Sequence, residues 1–293
     1  ASRLKAIAGN SAYPCDSAEM TPLGLRINAS HTSGDGAHLE ALKALYLSPL
    51  ARMYLDLDAD VTGISGSKHA IMKELSESAR TNYALLERDG FLRISETGLD
   101  LHALQRAVQD AFVKQDPRVT AKTSGGIMAT REKLPPLEQW LRRDVALLPA
   151  IAAYLGGEAI LHGYKAVYLP GTMSNGSYIS SMWHHDRAGH RLKMFILLND
   201  VDDKEGHPTQ VAKGSHNLIY YWHEEFSQTR YKDDYIKSNY AVERMSGLAG
   251  TGFVFDTNAV HKATAEGSQS RQVVIVEFHH AAKCGIIDQL GLN

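Results

Sequence analysis

The spacing of hydrophobic residues divides the chain into a helical half and a half built of short strands. In four stretches of the first 157 residues, apolar side chains recur at intervals of three and four, which predicts helices. These stretches are 38–49, 71–89, the one that follows Thr97, and the one from Pro136 to Gly156. Residues before 36 are rich in small polar types and predict an irregular arm. Asp89-Gly90 should end the second helix, with a short strand at 91–94.

After Gly157 the chain consists of short β-branched or aromatic segments separated by turn residues such as Pro170-Gly171. The predicted strands cover 158–169, 177–186, 191–199, 208–213, 251–256, 259–265 and 271–280. Many short strands with regular turns are typical of a barrel or a sandwich. We therefore expect a mixed α and β fold, in which N-terminal helices support a cupin-like jelly roll.

One long connection, residues 217–246, interrupts this series of strands. It is rich in aromatic residues and has a helical pattern between Glu224 and Lys237. Loops of this length in compact domains are commonly functional, and aromatic side chains with polar tips suit a surface that covers an organic substrate. We interpret the segment as a lid. The alternative is a helix that packs its aromatic residues permanently on the barrel.

Composition and charge exclude several functions. The 293 residues carry a net charge of −2 without a long basic run, so attraction to nucleic acid is not expected. No apolar stretch approaches the ~20 residues that cross a bilayer, and two distant cysteines exclude a disulfide framework. We expect a cytoplasmic protein, with the removal of an N-terminal targeting segment left open because the chain begins with Ala. The oligomeric state is also left open.

The sequence Trp183-His184-His185-Asp186 contains a candidate metal site. Alternate side chains of a strand point to the same face, so His184 and Asp186 should converge while His185 faces away. His261, which follows an apolar strand, is the candidate for a third ligand. Two imidazoles and one carboxylate form the facial triad of ferrous enzymes and leave three coordination positions open.

Arg271 begins another apolar strand ten residues after His261. A partly buried guanidinium requires an anionic partner, and its fork matches a carboxylate. We predict that Arg271 binds the distal carboxylate of a dicarboxylate co-substrate. Lys165 is the next candidate, and a structural ion pair between Arg271 and Asp256 or Glu277 is the alternative.

Taken in order along the chain, these motifs resemble the phytanoyl-CoA dioxygenase family of Fe(II)/2-oxoglutarate oxygenases. The similarity covers about residues 80–280 and includes Asp89-Gly90, His184-x-Asp186, His261 and Arg271, with Lys213-Gly-Ser-His216 where the family has Pro-Gly-Ser-His. It implies a double-stranded β-helix over 76–293, with an arm and helices over 1–75 that pack on it. It also implies that Fe(II), 2-oxoglutarate and O₂ act on a small organic substrate.

The resemblance suggests further roles for single residues. Thr264 and Tyr168 are candidates to contact the co-substrate, together with Tyr164 and Lys165. Related halogenases have Gly or Ala where this chain has Asp186, so hydroxylation or desaturation is expected instead. Two alternatives stay open at this point: a cupin-type metal enzyme that does not use 2-oxoglutarate, and a non-catalytic binding module stabilised by a metal.

Overall fold

The computed structural model describes ten ranges of the chain, and the predicted helix at 38–49 lies outside them. The described residues are 4–7, 72–95, 97–114, 127–144, 146–155, 159–172, 181–186, 191–217, 230–264 and 267–280. Among them no helix is long and apolar enough to cross a membrane.

Before most of the strands, the described residues form four helices of eight or more residues: α1 (Glu77–Asp89), α2 (Leu101–Lys114), α3 (Pro135–Arg143) and α4 (Leu147–Tyr154). The predicted stop of α1 is confirmed. Gly90 ends the helix in the left-handed conformation, with φ 61°, and its N–H donates to the carbonyl of Leu86 at 2.8 Å. At the other end, the Ser76 side chain accepts from the backbone N–H of Ala79, the usual way of satisfying the first turn.

The single helix predicted from Pro136 is wrong, because the structure has two helices there. α3 ends at Arg143, and the Asp144 carboxylate accepts hydrogen bonds from the backbone N–H groups of Leu147 and Leu148 at 2.6 and 2.8 Å. An aspartate that binds the next backbone amides competes with continuation of the helix and starts a new one. The hydrophobic periodicity continues across this break, which is why it predicts one helix.

Twelve described strands form two sheets. In chain order they are β1 (Leu4–Ile7), β2 (Phe91–Ile94), β3 (Met128–Thr130), β4 (Ala159–Leu169), β5 (Trp183–His184), β6 (Arg191–Leu197), β7 (Gln210–Ala212), β8 (Arg230–Tyr231), β9 (Val242–Arg244), β10 (Gly252–Asp256), β11 (His261–Lys262) and β12 (Arg271–His280). The larger sheet has the order β1-β4-β12-β6-β10-β2, with β3 also beside β4, and the smaller has the order β8-β5-β11-β7-β9.

The described strand pairs are antiparallel, apart from β1, which pairs parallel with β4. The expectation of a mixed fold with antiparallel sheets is confirmed, and the strand predicted at 271–280 has those bounds. Residues 4–7 lie in the region predicted to be an irregular arm, but they form β1. A strand that pairs with the edge of β4 satisfies its backbone through that sheet, whatever the composition around it.

Alternation along β6 separates the two sides of the larger sheet. Leu192, Met194 and Ile196 are fully buried and pack with the helices, whereas Phe195 and Leu197 face the smaller sheet. A period of two produces this division. The space between the two sheets therefore has one wall from β4, β12, β6 and β10, and it is here that the candidate site residues meet.

The described part of 217–246 is attached to the smaller sheet. It contains β8, α5 (Asp233–Asn239) and β9, and β8 and β9 pair with β5 and β7. Tyr231 is buried, and Tyr235 and Tyr240 pack on the same apolar cluster as Trp183. The helical pattern predicted for Glu224 to Lys237 overlaps α5 over residues 233–237, and the two strands are not predicted. The role of 217–246 as a lid stays a prediction, and residues 218–229 lie outside the described ranges.

Candidate metal centre

His184, Asp186 and His261 converge on one point between the two sheets. Each offers one ligand atom, and these three atoms lie within 4.8 Å of one another. His184 and His261 are cross-strand partners in β5 and β11, and their ring centroids are 4.4 Å apart. We refer to these three residues as the triad.

Backbone carbonyls orient both imidazoles of the triad. Nδ1 of His184 lies 2.7 Å from the carbonyl of Met182, and Nδ1 of His261 lies 2.8 Å from the carbonyl of Ala259. Since a carbonyl only accepts, each Nδ1 carries the proton and leaves Nε2 with a lone pair, which is the tautomer that binds a metal. Burial, followed by the nearby His184, lowers the pKa of His261 to about 3, so that ring is neutral at physiological pH.

Two cations hold the carboxylate of Asp186 from one side. Its Oδ2 accepts from Arg191 and from Nζ of Lys193, the latter at 2.9 Å, while Oδ1 faces Nε2 of His261 at 4.0 Å. Burial alone raises the pKa of Asp186, but the charges of Lys193 and Arg191 outweigh it, and the pKa lies well below its ordinary value. The group is therefore an anion with one oxygen directed towards the imidazoles.

His185 follows β5 and lies outside the triad, as the predicted alternation requires. It is buried beside the Tyr231 ring, with centroids 6.1 Å apart, and its Nδ1 lies 3.0 Å from the carbonyl of Asp186. It is not part of the group of residues whose ligand atoms converge.

The segment Lys213-Gly-Ser-His216 connects the end of α1 to the strand that carries His261. The Ser215 hydroxyl donates to the carbonyl of Ala212 at 2.6 Å and accepts from the backbone N–H of Val260 at 2.8 Å. His216 binds the carbonyl of Glu87 through Nε2 at 3.1 Å. The motif therefore fixes the residue before His261 against the helix that precedes β2.

A cavity of about 250 Å³ extends from the triad between the sheets. Its walls are mostly apolar, with Val167, Val273, Phe195 and Ile275 among the lining residues. The polar residues that line it are His184, Asp186, His261, Lys165, Lys193, Thr209 and Arg271. A small apolar cavity with a few converging polar groups is the usual form of a site for small molecules.

Arg271 lies at the end of this cavity opposite Lys193. Its side chain is 4% exposed, and Nη1 donates to the Thr209 hydroxyl at 3.1 Å. The alternative partners predicted for it are out of reach. Glu277 is six residues further along β12, about 20 Å at the usual rise of a strand. Asp256 and Phe278 both pair with Leu192. Asp256 is therefore level with Phe278, which is even further along β12 from Arg271 than Glu277 is.

Thr264 and Tyr168 do not line the cavity. The Thr264 hydroxyl donates to the carbonyl of Pro208 at 2.6 Å and accepts from the Gln210 amide at 3.0 Å. Tyr168 lies between Val167 and Leu169, which do line the cavity, so alternation directs its side chain to the opposite face. Their roles as co-substrate contacts stay predictions, with no support from these positions.

Sequence reasoning missed Arg191, Lys193 and Thr209. The first two lie on β6, where the apolar side chains of Leu192 and Met194 alternate with them. Charged residues at alternate positions of a strand that is otherwise apolar mark a polar inner face, and this signal could have identified them. Nothing comparable distinguishes Thr209, which is brought to Arg271 by the packing of the two sheets.

Several solved structures share this arrangement of sheets and helices. The apo form of EctD from S. alaskensis aligns with a TM-score of 0.54 and 20% identity, over 69% of this chain and 76% of that chain. The fold is shared. Other EctD structures are described as containing Fe, or 2-oxoglutarate and 5-hydroxyectoine.

Two further structures extend the comparison. SnoK, described as a non-heme alpha-ketoglutarate-dependent carbocyclase from nogalamycin biosynthesis, aligns with a TM-score of 0.50 and 16% identity, over 70% of this chain and 84% of that chain. AviO1 from Streptomyces viridochromogenes Tue57 aligns with a TM-score of 0.50 and 15% identity, over 69% and 94%. No protein-family model matches the chain, and comparison with curated proteins gives no significant match.

Proposed function

We propose that this protein is an Fe(II)- and 2-oxoglutarate-dependent oxygenase that acts on a small organic substrate. The observation that carries the proposal is the shared cavity: the triad lies at one end of it and the buried guanidinium of Arg271 at the other. EctD has the same fold, and its structures are described with Fe and with 2-oxoglutarate. SnoK also has this fold and is described as dependent on alpha-ketoglutarate.

The donor set fits ferrous iron. The hydrogen bonds at Nδ1 of both imidazoles and at Oδ2 of Asp186 direct the two Nε2 atoms and Oδ1 of Asp186 towards the proposed metal. Two nitrogens and one oxygen are suited to Fe(II). The described residues provide three ligands, so three positions are left for the co-substrate and O₂. A structural metal has a closed shell, and this difference favours catalysis over a metal-stabilised binding module.

The chain's other residues would place the co-substrate. Arg271, oriented by Thr209, would bind the distal carboxylate of 2-oxoglutarate through its fork. The apolar walls around Val167 and Val273 would exclude water from the space between this carboxylate and the triad. When bound, Fe(II) and 2-oxoglutarate activate O₂ for oxidation of the substrate, with succinate and CO₂ as co-products. The location of Arg271 also favours this function over a cupin-type enzyme that lacks the co-substrate.

We further propose a double-stranded β-helix and membership of the phytanoyl-CoA dioxygenase family. From β4 to β7 and again from β9 to β12, successive strands alternate between the two sheets, which is the winding of such a helix. Because Asp186 occupies the carboxylate position, the outcome proposed is hydroxylation, desaturation or another hydrogen abstraction, and not halogenation.

The test uses purified protein loaded with Fe(II) under anaerobic conditions. We expect one equivalent of bound iron, a visible charge-transfer band when 2-oxoglutarate is added, and iron-dependent succinate formation after O₂ is admitted. Substitution of Asp186 by Ala should abolish all three signals. A protein that binds iron tightly but shows no band with 2-oxoglutarate would contradict the proposal and would support the cupin-type alternative.

A further inference from the structure

Lys165 has a position in the cavity that the proposed function does not use. It lies on β4, opposite Ile275 of β12, and its side chain lines the cavity together with Val167 and Phe195. Arg271 pairs with Leu169, four residues further along β4. At the usual rise of a strand this separates the two cations by about 13 Å, so Lys165 lies between Arg271 and the end that holds Lys193.

The ammonium of Lys165 has no close counterion within the described part of the chain. Asp186, the anion that lines the cavity, is bound by Arg191 and Lys193. Glu277 lies 3.9 Å from Arg191 and acts on Lys165 only through longer-range attraction. No hydrogen bond or ion pair joins Lys165 to another described residue. Burial lowers the pKa of this lysine, and the neighbouring cations Lys193, Arg131 and Arg191 lower it further against the attraction of Glu277.

The balance of charges along the cavity indicates the role of the Lys165 ammonium. Among the described residues that line it, Lys165, Lys193 and Arg271 are cations and Asp186 is the one anion. Arg191 and Glu277 beside them cancel, and the nearby Arg131 is exposed to solvent. The excess is therefore 3 − 1 = +2. A ferrous ion and a 2-oxoglutarate dianion together add no net charge, so the excess remains when both are bound. An uncompensated positive charge in an apolar cavity is costly unless an anion accompanies it.

We propose that Lys165 is a second carboxylate-binding point, separate from Arg271, and that the substrate class of this enzyme is organic acids. The inference rests on the proposed function. The carboxylate could come from two sources, the acid group of the substrate or the keto-acid end of 2-oxoglutarate. The charge count favours the substrate, since the excess persists after the co-substrate is bound.

The first measurement is stability without ligands. Lys165→Met keeps a long apolar side chain against Val167 and Ile275, and it removes a charge that has no close partner. We therefore expect a Tm equal to or above that of the wild type, whereas a lysine with a structural role would lower it on substitution. Lys165→Arg should keep anion binding. Lys204→Met, at an exposed position, is the control.

The second measurement is ligand affinity, with iron-loaded protein kept free of O₂. 2-Oxoglutarate and pyruvate are titrated by the charge-transfer band, and alkanoates from acetate to hexanoate, with their amides, are titrated by calorimetry on the 2-oxoglutarate-bound protein. If the substrate is the source, Lys165→Met weakens alkanoate binding by about tenfold or more and leaves the amides and keto acids unchanged. If the keto-acid end is the source, the variant weakens 2-oxoglutarate and pyruvate alike.

Changes below twofold for every ligand, or an equal effect of Lys204→Met, would overturn the proposal for Lys165. A lowered Tm that Lys165→Arg restores without restoring anion binding would also overturn it. The proposed function fails in a different way, because the wild type would then give no charge-transfer band with either keto acid. Alkanoate and amide binding by wild type and Lys165→Met, titrated by calorimetry without 2-oxoglutarate, would still decide the role of this residue.

Discussion

Substitution of Arg271 by Ala tests the link between the cavity and 2-oxoglutarate most directly. The guanidinium is 4% exposed and lies at the end of the cavity opposite the triad. Its removal deprives the distal carboxylate of a charge-assisted pair in a site with little water. Hydrogen bonds to charged groups contribute about 1.5–3 kcal/mol, and each 1.4 kcal/mol changes affinity by about tenfold. We therefore expect the Kd for 2-oxoglutarate to rise by roughly 10- to 150-fold.

The structure predicts which ligand is affected. Pyruvate has the same keto-acid end but no distal carboxylate, so its affinity should be unchanged in Arg271→Ala. Arg271→Lys retains the charge without the bidentate fork, and its affinity for 2-oxoglutarate should lie between those of wild type and Arg271→Ala. Thr209→Val removes the hydroxyl that accepts from Nη1 and should weaken 2-oxoglutarate less than Arg271→Ala does.

The assay is an anaerobic titration of iron-loaded protein followed by the charge-transfer band, which reports Kd and not a KM that depends on the unknown substrate. Gln272→Ala is the matched control, because Gln272 is the next residue on β12, is exposed and faces the other side of the sheet. A Kd for 2-oxoglutarate within twofold of wild type in Arg271→Ala would refute the assignment. Equal weakening of pyruvate and 2-oxoglutarate would show that the substitution disturbs the metal site.

Three other predictions follow from the same structure. Alanine at any triad position should reduce bound iron to a small fraction of an equivalent, whereas His185→Ala should retain it. Metal analysis of the purified variants measures this. Loss of iron in His185→Ala would contradict the alternation argument. Gly90→Ala should lower the free energy of unfolding by about 1–3 kcal/mol, because a Cβ there would lie 2.4 Å from Nδ1 of His216. Gly98→Ala has a similar φ of 66° but open space around the new atom, so denaturant unfolding should show the smaller loss there, and equal losses would remove the role of the contact. If 217–246 is a lid, amide exchange across it should slow when 2-oxoglutarate and substrate bind, and slow exchange that is identical in both states would assign it to the scaffold.

The sequence predicts the elements whose pattern is local. Periodicity and the Asp89-Gly90 stop predict α1, and alternation around Trp183 predicts that His184 and Asp186 share a face, because a strand repeats every two residues whatever surrounds it. Arg271 is also identified by a local pattern, because it is a charged residue at the start of an apolar strand. The sequence pattern does not predict the break at Asp144, since a side chain that binds the following amides leaves no trace in the hydrophobic periodicity.

The pattern of the chain by itself determines the type of each element and which residues of one strand share a face. The partners across strands were decided only by the tertiary structure. Tyr168 and Lys165 both lie on β4, and the register that pairs Arg271 with Leu169 directs Lys165, Val167 and Leu169 into the cavity. In the same way β6 brings Arg191 and Lys193 to Asp186. A shift of one residue in pairing would reverse every side chain, and the energy that sets the register comes from burying both faces of the sheet at once, which a single segment of sequence does not contain.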